Sequence, residues 1–126
     1  MAKTERRKKA TRIPAQVQHA IRAAEDKQAV DLVVLDLRKA QGFTDFFMIC
    51  SGTNTRQIRA IADAVMESLA EDGVKPTNIE GYDRSEWILL DYFDFIVHVF
   101  AQETRMFYGL ERLWGNAERI EPPAPH

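Results

Sequence analysis

The sequence predicts a single α/β (α+β) domain in which helices pack on a mixed β-sheet of about five strands. The chain has 126 residues, the length of one domain, and 45% of them are apolar, which is enough for one packed core. Stretches of helical periodicity alternate with β-branched runs. A crossover between parallel strands, together with a hairpin near the end of the chain, indicates a sheet with both parallel and antiparallel pairs.

Three helices are predicted where apolar residues recur every three or four positions. Pro14 suits the first position of a helix over 14–27, and Asn54 or Thr55 caps a long helix that stops at Gly73. Thr104 caps the last helix. The apolar stripes are Ile13, Val17, Ala20, Ile21 and Ala24 in the first helix, Ile58, Ile61, Ala62, Val65, Met66 and Leu69 in the second, and Met106, Phe107, Leu110, Leu113 and Trp114 in the third.

Strands are predicted over residues 31–37 and 42–52, followed by an edge strand or extended loop over 74–82 that contains Pro76. Residues 87–100, "WILLDYFDFIVHVF", form the hairpin. We expect a disordered basic arm over residues 1–12, a folded domain over 13–116 and a disordered tail over 117–126.

The hairpin carries two different faces. With Phe93 and Asp94 as a two-residue loop, Leu89 lies opposite His98. One face is then apolar throughout and the other mixes large apolar groups with Asp91 and His98, a composition typical of a binding surface. The alternative is a second helix-covered face in which Asp91 and His98 satisfy each other or backbone groups. The mixed face comprises Trp87, Leu89, Asp91, Ile96, His98 and Phe100.

The polar residues do not form a familiar catalytic or metal-binding pattern. Cys50 is the only cysteine, which precludes an internal disulfide and favours a reducing, cytosolic location. Cys50 and His98 could be combined with an aspartate as a nucleophilic site, but Cys50 lies in an apolar strand, where cysteine is usually a buried hydrophobe. The three histidines are scattered, and "SGTNTR" lacks the lysine and further glycines of a P-loop. We therefore expect no cofactor, no metal and no catalytic residues.

Charge divides the chain into two parts. Residues 1–12 carry a net charge of +5 and the remaining residues −7. The arm would be attracted to RNA phosphates or would be only a solvated tail, whereas the acidic body suits a basic protein partner. No segment approaches the roughly 20 apolar residues that cross a bilayer, so no membrane partner is expected.

Three segments, "FTDFFMICSGTNTRQ", "IEGYDRSEWILLDYFDFIVHVF" and "ETRMFYGLERLW", resemble the ribosomal silencing factor (Iojap-like) family in order from about Asp31 to Trp114. The resemblance implies a nucleotidyltransferase-like fold. It also implies binding to the large ribosomal subunit through ribosomal protein number fourteen, which would block joining of the small subunit and repress translation when nutrients are limiting. A nucleotidyltransferase-like enzyme or nucleotide-binding protein is the alternative, but closely spaced acids do not follow Ser51-Gly52, so a fold without the catalytic motif is favoured.

Within that interpretation, Trp87 is the anchor, with Leu89 on the same face. Asp91 and Glu80 meet basic groups of the partner, and His98 orients Asp91 or donates to the partner. Asp45 is a further contact candidate, unless it pairs with Arg56. The family usually has glycine where this chain has Phe93, which strains a type I′ turn or lengthens the loop. An uncovered sheet face could also pair two copies off the ribosome.

Two groups near the chain end have structural explanations. Glu103, Arg105 and Tyr108 are interpreted as anchoring and ion pairing at the last helix. Leu113 and Trp114 are expected in the core.

Overall fold

A computed structural model describes residues 13–40 and 42–122 of the chain. The predicted basic arm and residues 123–126 lie outside the described residues. The elements, in order, are α1 (Ala15–Asp26), β1 (Val30–Asp36), β2 (Phe46–Gly52), α2 (Thr55–Glu71), β3 (Asn78–Glu80), β4 (Trp87–Asp91), β5 (Phe95–Ala101), α3 (Gln102–Tyr108), α4 (Leu110–Leu113) and β6 (Glu118–Ile120).

The strands form one mixed sheet in the order β3-β4-β5-β2-β1-β6, which confirms the predicted fold class. Only β2 and β5 pair in parallel, and every other neighbouring pair is antiparallel. Because β3, β4 and β5 alternate in direction, β3 runs parallel to β2. The chain therefore crosses over through α2 to the far edge of the sheet, and the hairpin β4–β5 fills the space between.

The sheet has six strands instead of about five. The additional strand is β6, which lies in the segment expected to be a disordered tail from residue 117, so that expectation is wrong for these residues. Glu118–Ile120 pairs with β1, and Ile120 is buried in the core. A three-residue strand with one apolar side chain shows no periodicity, so the pairing depends on the neighbouring strand and could not be seen locally.

Helices α1 and α2 cover one face of the sheet. All five apolar residues predicted to define α1 are buried, as are the α2 positions except Met66, which is partly buried. The Asn54 side chain caps α2 by accepting a hydrogen bond from the Gln57 amide (2.8 Å), and Gly73 follows the helix at φ +77°. None of the helices in the described part of the chain is both long and apolar enough to span a membrane.

The end of the chain differs from the single helix that was predicted. The helix begins at Gln102 without a side-chain cap from Thr104, and Gly109 at φ +57° divides it into α3 and α4. Leu113 is 73% exposed, so its expected place in the core is wrong, and Met106 and Phe107 are exposed as well. Trp114 does pack against the second hydrophobic cluster, with its ring 5.9 Å from that of Phe47.

Candidate protein-binding surface

The hairpin has the predicted register. Leu89 is paired with His98 and Asp91 with Ile96, and the Tyr92 amide donates to the Phe95 carbonyl across the loop (2.9 Å). Since directly paired residues share a face, this register places the mixed set on one side of the sheet. The predicted apolar set faces α1 and α2, and its members are all buried: Ile88, Leu90, Tyr92, Phe95, Val97 and Val99.

The edge strand extends the mixed face. Glu80 pairs with Leu89, which places these two residues in one row with His98. Glu80 is exposed, whereas Trp87, Leu89 and Asp91 are partly buried. Five of the six predicted contact residues therefore share a face, and four of them reach solvent. We define Trp87, Leu89, Asp91 and Glu80 as the β3–β4 surface.

The other half of this face is covered by the end of the chain. Leu110, Trp114 and Ala117 pack on a second hydrophobic cluster, whose buried members lie on β1, β2 and β5 and in the segment after β1. This arrangement combines the two alternatives that the sequence left open, because the face is covered on one side and accessible along β3 and β4.

Trp87 lies at the boundary between the two halves, in an aromatic cluster. Its ring stacks on Phe100 at a centroid distance of 4.8 Å and lies 4.9 Å from the ring of Tyr108 on α3. Tyr108 is 49% exposed. The sequence interpretation placed Tyr108 in helix anchoring. The signal that it missed was Gly109, which ends α3 directly after Tyr108.

His98 is not an accessible member of this surface. It is buried, and its Nδ1 accepts a hydrogen bond from the Trp87 indole Nε1 (3.0 Å). Burial lowers the pKa of His98 from 6.5 to about 3, so the ring is neutral at physiological pH. The expectation that His98 orients Asp91 is therefore wrong, since its hydrogen bond goes to Trp87.

Asp91 is held by the turn that follows it. One carboxylate oxygen accepts a hydrogen bond from the Phe93 amide (2.8 Å), and the Asp94 amide donates to the Tyr92 carbonyl (2.9 Å). Phe93 has φ +75°, so the loop is a γ-turn centred on this residue instead of the type I′ turn considered from sequence. The strain foreseen at Phe93 is present, and the two-residue loop is retained.

Asp45 lies beside this turn, apart from the β3–β4 surface. Its amide donates to the Asp94 carbonyl (2.9 Å), while the Thr44 hydroxyl donates to the Phe93 carbonyl (2.8 Å). The suggested Asp45–Arg56 pair does not form. Asp45 precedes the seven-residue strand β2 and Arg56 follows it, which separates them by about 20 Å at about 3.3 Å per residue.

The geometry removes the nucleophilic arrangement that could be drawn from the sequence. Cys50 belongs to the cluster under α1 and α2, whereas His98 faces the opposite side of the sheet. Burial raises the pKa of the Cys50 thiol to about 12, so a reactive thiolate is disfavoured. The described residues also contain no group of three or more His, Cys, Asp or Glu side chains placed to hold a metal ion. His126 lies outside them.

The turn before α2 is occupied by the chain itself. The Gln57 side chain accepts from the Thr53 amide (2.6 Å), and Ser51 accepts from Arg105 (2.9 Å). A side chain on Gly52 would meet Ile58 at 2.8 Å. The Thr53 amide in this turn is therefore satisfied internally. Arg105 also pairs with Glu111 on α4 (2.8 Å), a residue outside the group expected to form local ion pairs, and this lowers the pKa of Glu111.

Comparisons with known proteins show which family and which solved structures the chain resembles. Residues 10–126 match the family model described as "Ribosomal silencing factor during starvation". The chain is 38% identical over 105 residues to the ribosomal silencing factor RsfS of Halalkalibacterium halodurans, covering 83% of this chain and 90% of that protein. A crystal structure from Chromobacterium violaceum superposes with a TM-score of 0.77 at 33% identity, covering 86% of this chain and 88% of that one.

A more distant relative comes from an animal. The mouse protein named "Mitochondrial assembly of ribosomal large subunit protein 1" is 31% identical over 91 residues, which span 70% of this chain and 40% of that protein.

Proposed function

The chain belongs to the ribosomal silencing factor family, and on that premise we propose that it binds the large ribosomal subunit through ribosomal protein number fourteen and prevents the small subunit from joining. The proposal is supported by the family match and by the aromatic and acidic β3–β4 surface, which lies on the part of the sheet that the helices leave accessible. The name of the mouse relative refers to the large ribosomal subunit, which supports this choice of subunit. The proposed action lowers translation in the cytoplasm when nutrients are limiting.

The β3–β4 surface is the proposed docking site. Trp87 and Tyr108 supply aromatic area, and aromatic residues at the centre of an interface commonly dominate the binding energy. Leu89 extends the apolar centre. Glu80 and Asp91 place negative charge beside it, which favours a basic partner and excludes acidic ones. Asp45 would contact the partner only if the interface extends to the γ-turn.

The proposed mechanism is steric. The described part of the chain has about 110 residues, and a compact chain of that length is roughly 30 Å across by the usual scaling. A body of that size, anchored beside the contact between the subunits, occupies space that the small subunit needs. No chemical turnover is required, and we assign no catalytic residue, in keeping with the separation of Cys50 from His98.

The test of this docking site is co-sedimentation with purified large subunits. Truncating a central aromatic residue typically costs about 2 kcal/mol or more, so Trp87→Ala should weaken binding roughly 30-fold or more. Glu80→Lys tests the acidic component and should also weaken binding. Asp91→Lys is less suitable, because it would disturb the turn by removing the hydrogen bond from the Phe93 amide. Glu67→Lys, an exposed change of the same charge on α2, is the matched control and should bind normally. Normal binding of both Trp87→Ala and Glu80→Lys would show that the docking site is elsewhere.

The basic arm is proposed to add a contact with ribosomal RNA. A truncated chain that begins at Pro14 should then lose more affinity at low salt than at high salt, because phosphate contacts release counterions. A loss of the same size at every salt concentration would rule out this role. The same preparations, run without ribosomes, test whether two copies pair through the β3–β4 surface.

A further inference from the structure

Trp87 is held in place from the interior of the protein. Its side chain reaches diagonally across the β4–β5 pair, since Trp87 is paired with Phe100 while its indole nitrogen donates to His98, two residues away. The Phe100 and Tyr108 rings restrict the plane of the indole, and the hydrogen bond to His98 fixes its rotation within that plane. A partly exposed aromatic residue with these restraints keeps one orientation before any partner arrives.

The Nδ1 atom of His98 acts as an acceptor. Because Nδ1 accepts the hydrogen bond from the indole N–H, the neutral ring must carry its own proton on Nε2. His98 is 3% exposed, and the ring of Phe47 lies edge-to-face with it at 4.5 Å. Desolvation opposes protonation, so the ring stays neutral over the physiological pH range, and the hydrogen bond from Trp87 selects its tautomer.

The arrangement leaves a polar atom without a partner. Within the described residues, His98 Nε2 is one of two buried side-chain atoms that make no hydrogen bond. An unsatisfied buried donor is unfavourable, and an aliphatic side chain would fill this cluster without that penalty. The advantage of histidine here is its single hydrogen bond, and that bond goes to Trp87.

We infer that His98 is a positioning residue, which fixes the orientation of the Trp87 indole so that its exposed edge is preorganised for the ribosomal partner. The inference rests on the proposed function, because it assumes that Trp87 is the anchor. Without the hydrogen bond, the indole would sample further orientations, and binding would have to order it. Ordering one such side chain typically changes affinity by about two- to tenfold.

The test is a double-mutant cycle on large-subunit binding. His98→Leu should weaken binding about fivefold with Trp87 present. It should have little additional effect after Trp87→Phe, which removes the indole donor. His98→Asn should restore part of the affinity, because its Oδ1 occupies the position of Nδ1. Ile49→Val, in the same buried cluster and paired with His98 across β2 and β5, is the control for core perturbation and should leave affinity unchanged.

NMR of the wild-type protein gives an independent readout that does not require any variant to fold. The imidazole nitrogen shifts should identify His98 as the Nε2-protonated tautomer, and the Trp87 indole proton should exchange slowly and keep its shift between pH 5 and pH 8. A proton on Nδ1, or a charged ring at neutral pH, would overturn the inference.

The binding results separate the two proposals. If Trp87→Ala weakens binding but His98→Leu does not, or if His98→Leu weakens it equally with and without Trp87→Phe, the positioning role is refuted while the docking site stands. If Trp87→Ala binds normally, the docking site fails, and the inference fails with it.

Discussion

The two faces of the sheet are built on opposite principles. The face under α1 and α2 is apolar wherever the strands meet the helices, and its side chains are almost completely buried. The other face is covered only over β1, β2 and β5, and it retains an imidazole, a carboxylate and a partly exposed tryptophan. Burial of apolar side chains on the first face supplies most of the free energy that stabilises the fold. The second face can therefore carry polar and exposed groups that add little to stability.

The comparison extends to the helices themselves. Leu69 on α2 is completely buried, whereas Leu113 on α4 is 73% exposed, although both were predicted to face a core. Helix α2 has 17 residues and can align a full apolar stripe with the sheet, while α4 has four residues and presents little more than one turn. Burial of a leucine therefore depends on how its helix is docked as well as on spacing.

The largest difference is expected between truncations of these two leucines. Leu69→Ala should lower the free energy of unfolding by about 2–5 kcal/mol, because it leaves a cavity in the core. Leu113→Ala should change it by less than about 0.5 kcal/mol. Urea unfolding followed by circular dichroism measures both. Similar losses would contradict the assigned difference between the two regions.

The next effect is a pH dependence that comes from the mixed face. The pKa of His98 is about 3 in the folded protein against an ordinary 6.5, so between these values the unfolded chain binds a proton that the folded chain does not. The free energy of unfolding is therefore unaffected by the titration of this group above pH 6.5. It falls as the pH decreases from 6.5 toward 3, by at most about 1.4 kcal/mol per pH unit.

Unfolding of the wild-type protein and His98→Leu at pH 7 and pH 5 isolates this effect, because the remaining titrating groups are common to both. The wild-type protein should lose more stability than the variant on acidification. Equal losses would show that His98 is protonated in the folded state.

The smallest effect concerns the γ-turn that joins β4 to β5. Phe93 is 77% exposed and has φ +75°, a conformation that costs an aromatic residue about 1 kcal/mol or more. Phe93→Gly should therefore raise the free energy of unfolding by about 1 kcal/mol. Phe93→Ala removes the ring but keeps the strain, so it should change stability little. A stabilising Phe93→Ala would show that the ring is unfavourable, not the backbone.

Much of the hairpin could be predicted because its rules are local. The alternation of side chains and a two-residue loop were sufficient to pair Leu89 with His98 and to separate the apolar face from the mixed one. The same reasoning could not assign the hydrogen bonds of His98. Trp87 and Asp91 both lie on the neighbouring strand and on the same face as His98. The choice between them depends on side-chain rotamers and on the packing of Phe47 and Phe100.

The chain end was predicted less well for a related reason. The apolar residues of α3 and α4 have helical spacing, which is compatible with burial, but Gly109 turns the chain between the two helices. Met106, Phe107 and Leu113 are left exposed. Tyr108 instead contacts Trp87, a residue 21 positions earlier, and local periodicity carries no information about such a contact.

The sequence by itself determined the fold class, the register of the hairpin, the first two helices and membership of the ribosomal silencing factor family. These follow from short-range periodicity, turn chemistry and a long ordered series of characteristic residues. Only the tertiary structure decided that β6 joins the sheet, that α3 and α4 cover half of the mixed face, and that His98 bonds Trp87. Each of these depends on contacts between residues far apart in the chain, whose relative energies are set by how the elements pack.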